Sequence, residues 1–238
     1  MTTNIKYNKI DASPKIYENI VNSIRGLIET GELKKGERLP SERKLSDQFG
    51  VSRTAVREAI KSLNEIGVLD VQVGRGTFVS KDASTKLIDK MGLLMMMESV
   101  NTSDLHEVRQ VLEIPIIRLA ALNRKQKNIE NLEQLLEEMK KNIDKPEVFI
   151  KADTNFHLEL ARATQNTVFY ILINTIVTIL QNAREFILQF DKEEYKKAIF
   201  YHGEILRYVT NEDSDGAELS MKAHLKHVGD TLEMTSKK

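Results

Sequence analysis

The chain has 238 residues, of which 41% are hydrophobic and 29% charged, a balance typical of folded globular proteins with one large domain or two ordinary ones. It contains no cysteine, which excludes disulfides and thiolate metal sites, so any metal would be held by His and carboxylate. The formal net charge is zero, but residues 1–80 carry 13 Lys and Arg against 10 Asp and Glu, so the excess positive charge lies at the N-terminal end.

Two features of the sequence bear on membranes and location. The N-terminal stretch, MTTNIKYNKIDASPK, lacks the apolar segment of a signal peptide. The longest apolar run extends from Val168 to Leu180, is interrupted by Asn and Thr, and is too short to span a bilayer. We therefore expect a cytoplasmic protein with no membrane partner.

Three helix signals follow one another in the N-terminal third. Residues 1–12 are expected to form a mobile arm, and the first helix is expected to begin at Pro14, where a missing N–H costs nothing. Ser41 and Ser52 each precede a run with apolar residues at helical spacing, and both are suited to cap a helix N-terminus. Gly50 lies between the two runs as the turn residue.

A hairpin signal follows the third helix. Two β-prone runs, at residues 68–73 and 77–80, flank the tripeptide Gly74-Arg75-Gly76, whose glycines permit a tight turn. Three helices followed by a hairpin predict a winged helix-turn-helix domain over residues 1–80. This fold lays its second motif helix into the major groove of double-stranded DNA.

The polar face of the third helix is suited to reading DNA. Its apolar positions point inward and leave Arg53, Thr54 and Arg57 on the opposite face. The guanidinium fork of Arg matches the O6 and N7 acceptors of guanine, and a helix N-terminus can hold a backbone phosphate. The alternative is that each Arg is an ordinary solvated charge, but the arrangement as a whole favours DNA. Flanking positions add further predicted contacts: Arg43, Ser52 and, at the hairpin tip, Arg75.

Beyond this domain the sequence is helical. Residues 81–86 are polar and form the expected linker to a second domain over residues 87–238. Pro115 predicts a kink within its helix, and the Leu93–Met97 cluster predicts core or dimer packing. The helix at 167–190 is apolar on nearly all sides, which predicts a central position or an oligomer interface. We therefore predict a mainly α chain whose C-terminal domain is an all-helical bundle of about six to seven helices, near residues 87–99, 103–122, 126–143, 147–164, 167–190, 192–210 and 214–234.

Three histidines and one aspartate of the second domain lie on apolar helix faces. His202 and His224 fall within apolar stripes of their helices. His157 lies beside a third apolar stripe, and Asp153 lies one turn before it on the same face. A single inward His is more often a hydrogen-bonded core residue than a ligand, but three with a carboxylate are costly to bury without a partner. They could instead hold one divalent ion, with His227 as the alternative if His224 is not a ligand. His106 is interpreted as an ordinary residue.

The N-terminal motif resembles a known family. The stretch LPSERKLSDQFGVSRTAVREAIKSLNEIGVL followed by GRGTFV is similar to the DNA-binding domain of GntR-family bacterial transcription regulators. Val73 occupies the position before the wing glycine where FadR-type members often carry a His, so the sequence departs from the family pattern there. The resemblance implies DNA contacts from Arg43, Ser52, Arg53, Thr54, Arg57, Gly74 and Arg75.

The C-terminal half resembles the FCD effector domain of the FadR subfamily. It shares LHEVRQVLE near its start, D-x-x-F-H at Asp153–His157, an early His202 in the next-to-last helix, and M-x-x-H at Met221–His224. Many such domains hold a divalent metal through one Asp and three His, so the resemblance implies a metal bound by Asp153, His157, His202 and His224. These ligand types suit Zn²⁺, Ni²⁺ or Mn²⁺.

Arg109 is the predicted effector-binding residue. It borders an apolar stripe, so its guanidinium is expected to point inward and to need an anionic partner. That partner is either Glu113, one turn later, or the carboxylate of a ligand, and the resemblance favours the ligand. Lactate, pyruvate, gluconate and citrate are all compatible with one metal and one Arg.

These features together predict a metabolite-responsive transcription regulator. We expect a homodimer on a palindromic operator, with a small carboxylate in the C-terminal bundle changing operator affinity, and with repression as the expected sign. A metal-dependent hydrolase would need a general base beside the ion, and no further Glu or His stands out. An effector-independent architectural DNA-binding protein would not need the buried polar groups.

Overall fold

A computed structural model describes residues 14–81, 84–188 and 192–236 of the chain. These residues contain ten helices and one two-stranded antiparallel sheet, which confirms the predicted fold class. The chain divides into two compact units, Met1–Leu87 and Ile88–Lys238. The predicted mobile arm at residues 1–12 lies outside the described residues. Within them, no helix has the length and apolar character needed to cross a bilayer.

The first unit is a winged helix-turn-helix. Ser41 and Ser52 begin the second and third helices as predicted, because their hydroxyls accept hydrogen bonds from the backbone N–H groups of Lys44 and Ala55 at 3.3 and 3.2 Å. Gly50 ends the second helix with φ of +64°, a conformation that suits glycine. The elements are α1 (Pro14–Glu29), α2 (Glu42–Phe49), α3 (Arg53–Glu65), β1 (Leu69–Gln72) and β2 (Gly76–Val79).

The hairpin is hydrogen-bonded to residues 37–39, a segment whose sequence has no strand pattern. Arg38 forms an isolated bridge to Phe78 on β2. The N–H of Leu39 donates to the carbonyl of Thr77, and the N–H of Val79 donates to that of Glu37, both at 2.8 Å. The wing is therefore hydrogen-bonded on the outer edge of β2 as well as within the hairpin.

The second unit is entirely helical in its described part. Its first helix starts at Ser84, ahead of the division between Leu87 and Ile88, so this helix includes the end of the segment predicted as a linker. The second helix continues without interruption through Pro115, and the predicted kink there stays a prediction. The elements are α4 (Ser84–Met97), α5 (Thr102–Asn123), α6 (Gln126–Lys141), α7 (Pro146–Ala163), α8 (Thr167–Leu188), α9 (Lys192–Thr210) and α10 (Ser214–Ser236).

The centre of this unit is α7. It packs against α5, α6 and α8, and Phe149 and Phe156 are among its fully buried side chains. By contrast, α8 buries one face, including Val177, and exposes Val168 and Leu172 on another. The exposed apolar face favours the second of the two predicted positions for α8, an oligomer interface, which stays a prediction.

Candidate metal centre and DNA-reading surface

Four polar side chains from three helices meet inside the second unit. Asp153 and His157 lie one turn apart on α7, because residues four apart share a helix face. His202 comes from α9 and His224 from α10, and all four side chains are at most 1% exposed. One ring nitrogen from each of the three histidines lies within 4.8 Å of the others. The structure thus brings together the four residues that the sequence singled out.

The distances within this cluster suit a single ion. His157 Nε2 and His202 Nε2 are 3.3 Å apart, and Asp153 Oδ1 lies 3.2 Å from His202 Nε2. Two ligand atoms bound at about 2.1 Å to one tetrahedral ion are about 3.4 Å apart. Three imidazoles and one carboxylate are also a donor set found in divalent metal sites. The residues present therefore fit a metal.

The hydrogen bonds around two of the rings define where their lone pairs point. The guanidinium of Arg109 has only donors, so its Nη2, 2.8 Å from His157 Nε2, requires that nitrogen to accept. His157 Nδ1 is then the protonated nitrogen and donates to Glu113 Oε2 at 2.5 Å. His202 Nδ1 donates to the Ala198 carbonyl at 2.6 Å, which leaves its Nε2 as the acceptor. Both Nε2 lone pairs therefore face the interior of the cluster.

Ring packing holds these histidines in place. The ring of His224 stacks on that of His157, with centroids 5.3 Å apart and an interplanar angle of 20°. Phe156 meets His202 edge-on at 4.6 Å. Such contacts restrict the χ angles of the rings, so the nitrogen positions are set by the core and do not depend on a ligand for their arrangement.

Arg109 is fully buried beside the cluster and is paired within the protein. Its Nε donates to Glu113 Oε1, its Nη2 donates to His157, and its buried Nη1 makes no hydrogen bond to the described residues. Burial raises the pKa of Glu113, but Arg109 and His157 outweigh it and hold that pKa well below its usual range. Burial and Arg109 together lower the pKa of His157 against the opposing effect of Glu113. Glu113 is thus the partner of Arg109 in this structure.

The remaining two histidines lie outside the cluster. His106 Nε2 accepts from the side-chain amide of Gln110 at 2.9 Å. His227, on α10 three residues after His224, bonds to Glu194 at 2.6 Å. The structure therefore groups His224, and not His227, with the candidate ligands.

The predicted DNA-reading residues are all exposed on the first unit. Arg57 forms a two-point contact with Glu42 of α2, at 3.2 Å from Nε and 3.1 Å from Nη2, and the sequence reasoning missed this pair. The hydroxyl of Ser52 is used in capping α3. At the wing tip Gly74 has φ of +73°, and Val73 beside it is 99% exposed. The exposed set comprises Arg43, Ser52, Arg53, Thr54, Arg57, Gly74 and Arg75.

Comparison with known proteins gives the family. Residues 16–79 match the model for "Bacterial regulatory proteins, gntR family", and residues 104–227 match the FCD domain. The transcriptional regulator LutR of Bacillus subtilis is 33% identical over 87% of this chain and 96% of its own length. The transcriptional repressor NanR of Klebsiella aerogenes is 29% identical over 92% of this chain and 86% of its own.

A solved structure agrees with these relatives. The Streptococcus agalactiae GntR structure superimposes with a TM-score of 0.74 at 25% identity, over 90% of this chain and 99% of that one. Nearly the whole of that structure is thus matched, and the matched part of this chain includes both the GntR and the FCD regions. The relatives are transcription regulators and not enzymes. The chain belongs to the GntR family of bacterial regulatory proteins, as a regulator that joins a winged helix-turn-helix to an FCD domain in the manner of the FadR subfamily.

Proposed function

We propose that this regulator is a repressor whose FCD domain binds a divalent metal and a small carboxylate that together change its affinity for operator DNA. The ligands are Asp153, His157, His202 and His224, and Arg109 contributes to binding the carboxylate. The observation that carries the proposal is the buried meeting of three imidazoles and one carboxylate from α7, α9 and α10 at ligand spacing.

Charge balance supports a carboxylate as the effector. Arg109 and Glu113 neutralise one another, and a divalent ion beside Asp153 leaves one uncompensated positive charge in a buried site. An isolated buried charge is costly, so an anionic ligand would be drawn to this position. Arg109 Nη1, buried and without a hydrogen bond in the described part of the unit, is a further donor for that anion. When bound, the ion would supply a Lewis-acidic centre for a carboxylate oxygen.

The three nitrogens narrow the choice of metal. Imidazole ligands suit Zn²⁺ and Ni²⁺ and, with carboxylate, also Mn²⁺, whereas Mg²⁺ and Ca²⁺ prefer sites built only from oxygen. We therefore retain Zn²⁺, Ni²⁺ or Mn²⁺ as the cofactor. The ion and the effector would act on the same buried cluster, which makes the FCD domain the sensory part of the chain.

DNA binding is assigned to the first unit. The exposed N-terminal end of α3 carries Arg53, Thr54 and Arg57, the positions from which a recognition helix contacts base edges and phosphates. Arg43, Ser52, Gly74 and Arg75 supply the surrounding contacts. Because Arg57 already pairs with the half-buried Glu42, its contribution to DNA binding includes the cost of exchanging one anion for another.

Exposed apolar side chains support a homodimer formed through the second unit. Met96 and Met97 on α4 are 70% and 72% exposed, and Val111 on α5 is 72% exposed. Met95 of α4 packs against a small core that includes Leu105 of α5 and Ile176 of α8. Large exposed apolar regions mark protein interfaces. A two-fold dimer would present two copies of α3 to a palindromic operator.

The experiment combines metal analysis with operator binding. Purified full-length protein should contain a stoichiometric transition metal, and the variants His157→Ala and His202→Ala should lack it. Small carboxylates, screened by thermal shift with metal present, should raise the melting temperature and change the mobility shift of DNA from upstream of the gene. Native protein that takes up no metal and responds to no carboxylate, yet binds DNA, would instead be an architectural DNA-binding protein.

A further inference from the structure

We infer that Glu113 and Arg109 form a latch on the metal centre, in which Glu113 holds His157 in its ligating tautomer and Arg109 occupies the metal-binding lone pair until an ion displaces it. This inference rests on the proposed metal site and adds an order of events to it. The latch comprises Arg109, Glu113 and His157 throughout.

Glu113 bridges the other two residues of the latch. One carboxylate oxygen accepts from Arg109 Nε and the other accepts from His157 Nδ1. Glu113 is 2% exposed and lies on α5, whereas His157 lies on α7, so the bridge connects two packed helices. A carboxylate that accepts from one ring nitrogen directs the lone pair of the other toward a metal and increases its basicity. Glu113 is thus a positioning residue for a ligand and not itself a ligand.

His157 Nε2 has a single lone pair in the plane of the ring. In this structure it accepts a hydrogen bond from Arg109 Nη2 at 2.8 Å. The same lone pair points toward His202 Nε2, 3.3 Å away, which is the direction in which a shared ion would be bound. One lone pair cannot serve a guanidinium N–H and a metal ion together, and the two cations also repel. Metal binding therefore requires Arg109 Nη2 to leave.

Arg109 would gain a free donor once an ion displaced it from His157. Its Nε can keep its bond to Glu113, because that contact does not involve the lone pair. Nη2 then joins Nη1 as a donor without an internal partner in the described part of the unit. Two adjacent guanidinium N–H donors are suited to a carboxylate. Metal binding would thus free the Arg109 donors that hold the anion, and the ion would contact the anion as well. The metal and the carboxylate would therefore each increase the affinity for the other.

The latch predicts opposite effects from substituting the two partners of one ion pair. Glu113→Gln replaces one of the two carboxylate oxygens by an N–H donor, so the side chain can no longer accept from both Arg109 and His157. Loss of such a partner of a ligating His weakens metal binding by about 10- to 100-fold. Arg109→Met removes the competitor for the lone pair and a nearby positive charge, so metal should bind more tightly, on the order of tenfold, the worth of one hydrogen bond. If the ion pair only stabilised the fold, breaking it by either substitution would weaken metal binding.

Two further variants guard against misfolding. Arg109→Met leaves Glu113 buried with fewer partners, so the double variant Arg109→Met/Glu113→Gln, which is uncharged, provides a second measurement. It should bind metal more tightly than Glu113→Gln alone, because the competitor Arg109 is absent from the double variant and still present in Glu113→Gln. Glu194→Gln is the matched control, since Glu194 accepts from His227 outside the cluster in the same kind of pair. It should leave the metal affinity unchanged.

The test is a competition titration of chelator-treated full-length protein with Zn²⁺ against a fluorescent chelator, accompanied by ¹⁵N-histidine NMR. Metal-free wild type should show His157 protonated at Nδ1, and this signal should be lost or mixed in Glu113→Gln. Wild type that fails to bind Zn²⁺ would refute the proposed metal site itself. Wild type that binds Zn²⁺, combined with an Arg109→Met affinity equal to or weaker than wild type, would refute only the latch, as would an unaltered His157 tautomer in Glu113→Gln.

Discussion

Replacing His224 by Ala should remove most of the stability that metal gives to the FCD domain. His224 is 1% exposed and lies in the cluster with His157 and His202, whereas the unfolded chain holds no such arrangement. Metal at 100 times its Kd would stabilise the folded state by about 2.7 kcal/mol. For a unit of this size each kcal/mol shifts Tm by about 2–4 °C, so metal should raise Tm by about 5–11 °C.

The variant should lose nearly all of this increment. Loss of one ligand that weakens binding 100-fold leaves about 0.4 kcal/mol at the same metal concentration, which is a shift of about 1 °C. The quantity to compare is the difference in Tm with and without metal, since His224→Ala also opens a cavity that lowers the Tm of the metal-free protein. Differential scanning calorimetry on chelator-treated protein gives this difference directly.

The neighbouring histidine supplies the control. His227 lies on the same helix but bonds to Glu194, so His227→Ala should retain the full metal-dependent increment. An increment in His224→Ala as large as in wild type would show that this residue is not a ligand. If only His227→Ala lost the metal-dependent rise in Tm, His227 would be the ligand, and the grouping of His224 with His157 and His202 would be refuted.

Three further predictions concern the DNA-reading and dimer surfaces. Arg53→Ala should weaken operator binding by about 1–3 kcal/mol if Arg53 reads a base, whereas Glu42→Gln should tighten it by freeing Arg57; mobility shifts over a range of salt concentrations check both, and unchanged affinity in both would contradict the assignment of α3. Val111→Glu should leave the fold of one chain intact, because the side chain is 72% exposed, yet dissociate the dimer in sedimentation velocity. A stable dimer in that variant would place the interface elsewhere.

The local features that the sequence predicted are those encoded by neighbouring residues. Ser41, Gly50 and Ser52 are placed by capping and turn chemistry that acts over a few positions, and the structure confirms them. The inward positions of His157 and His202 follow from helical spacing alone, which is why both could be predicted as candidate ligands from the sequence.

Other features depend on distances between segments far apart in the chain. Arg38 pairs with β2 through a single bridge, which produces no alternating pattern. For the partner of Arg109 the sequence offered Glu113, one turn away, or a ligand, and the resemblance favoured the ligand. The folded core shows the bond to Glu113, which spacing alone could not establish. The apolar composition of α8 likewise did not reveal which of its faces would be buried, because that depends on what packs against it.

The complete burial of the four candidate ligands also sets a timescale. An ion among Asp153, His157, His202 and His224 is shielded from water as long as α7, α9 and α10 stay packed, so its release is tied to local opening of the bundle. The carboxylate would bind beside the same buried cluster, so it too would enter only when the bundle opens locally, which is slow compared with its diffusion in water. The regulator would then respond to sustained changes in the supply of the organic acid and not to brief ones.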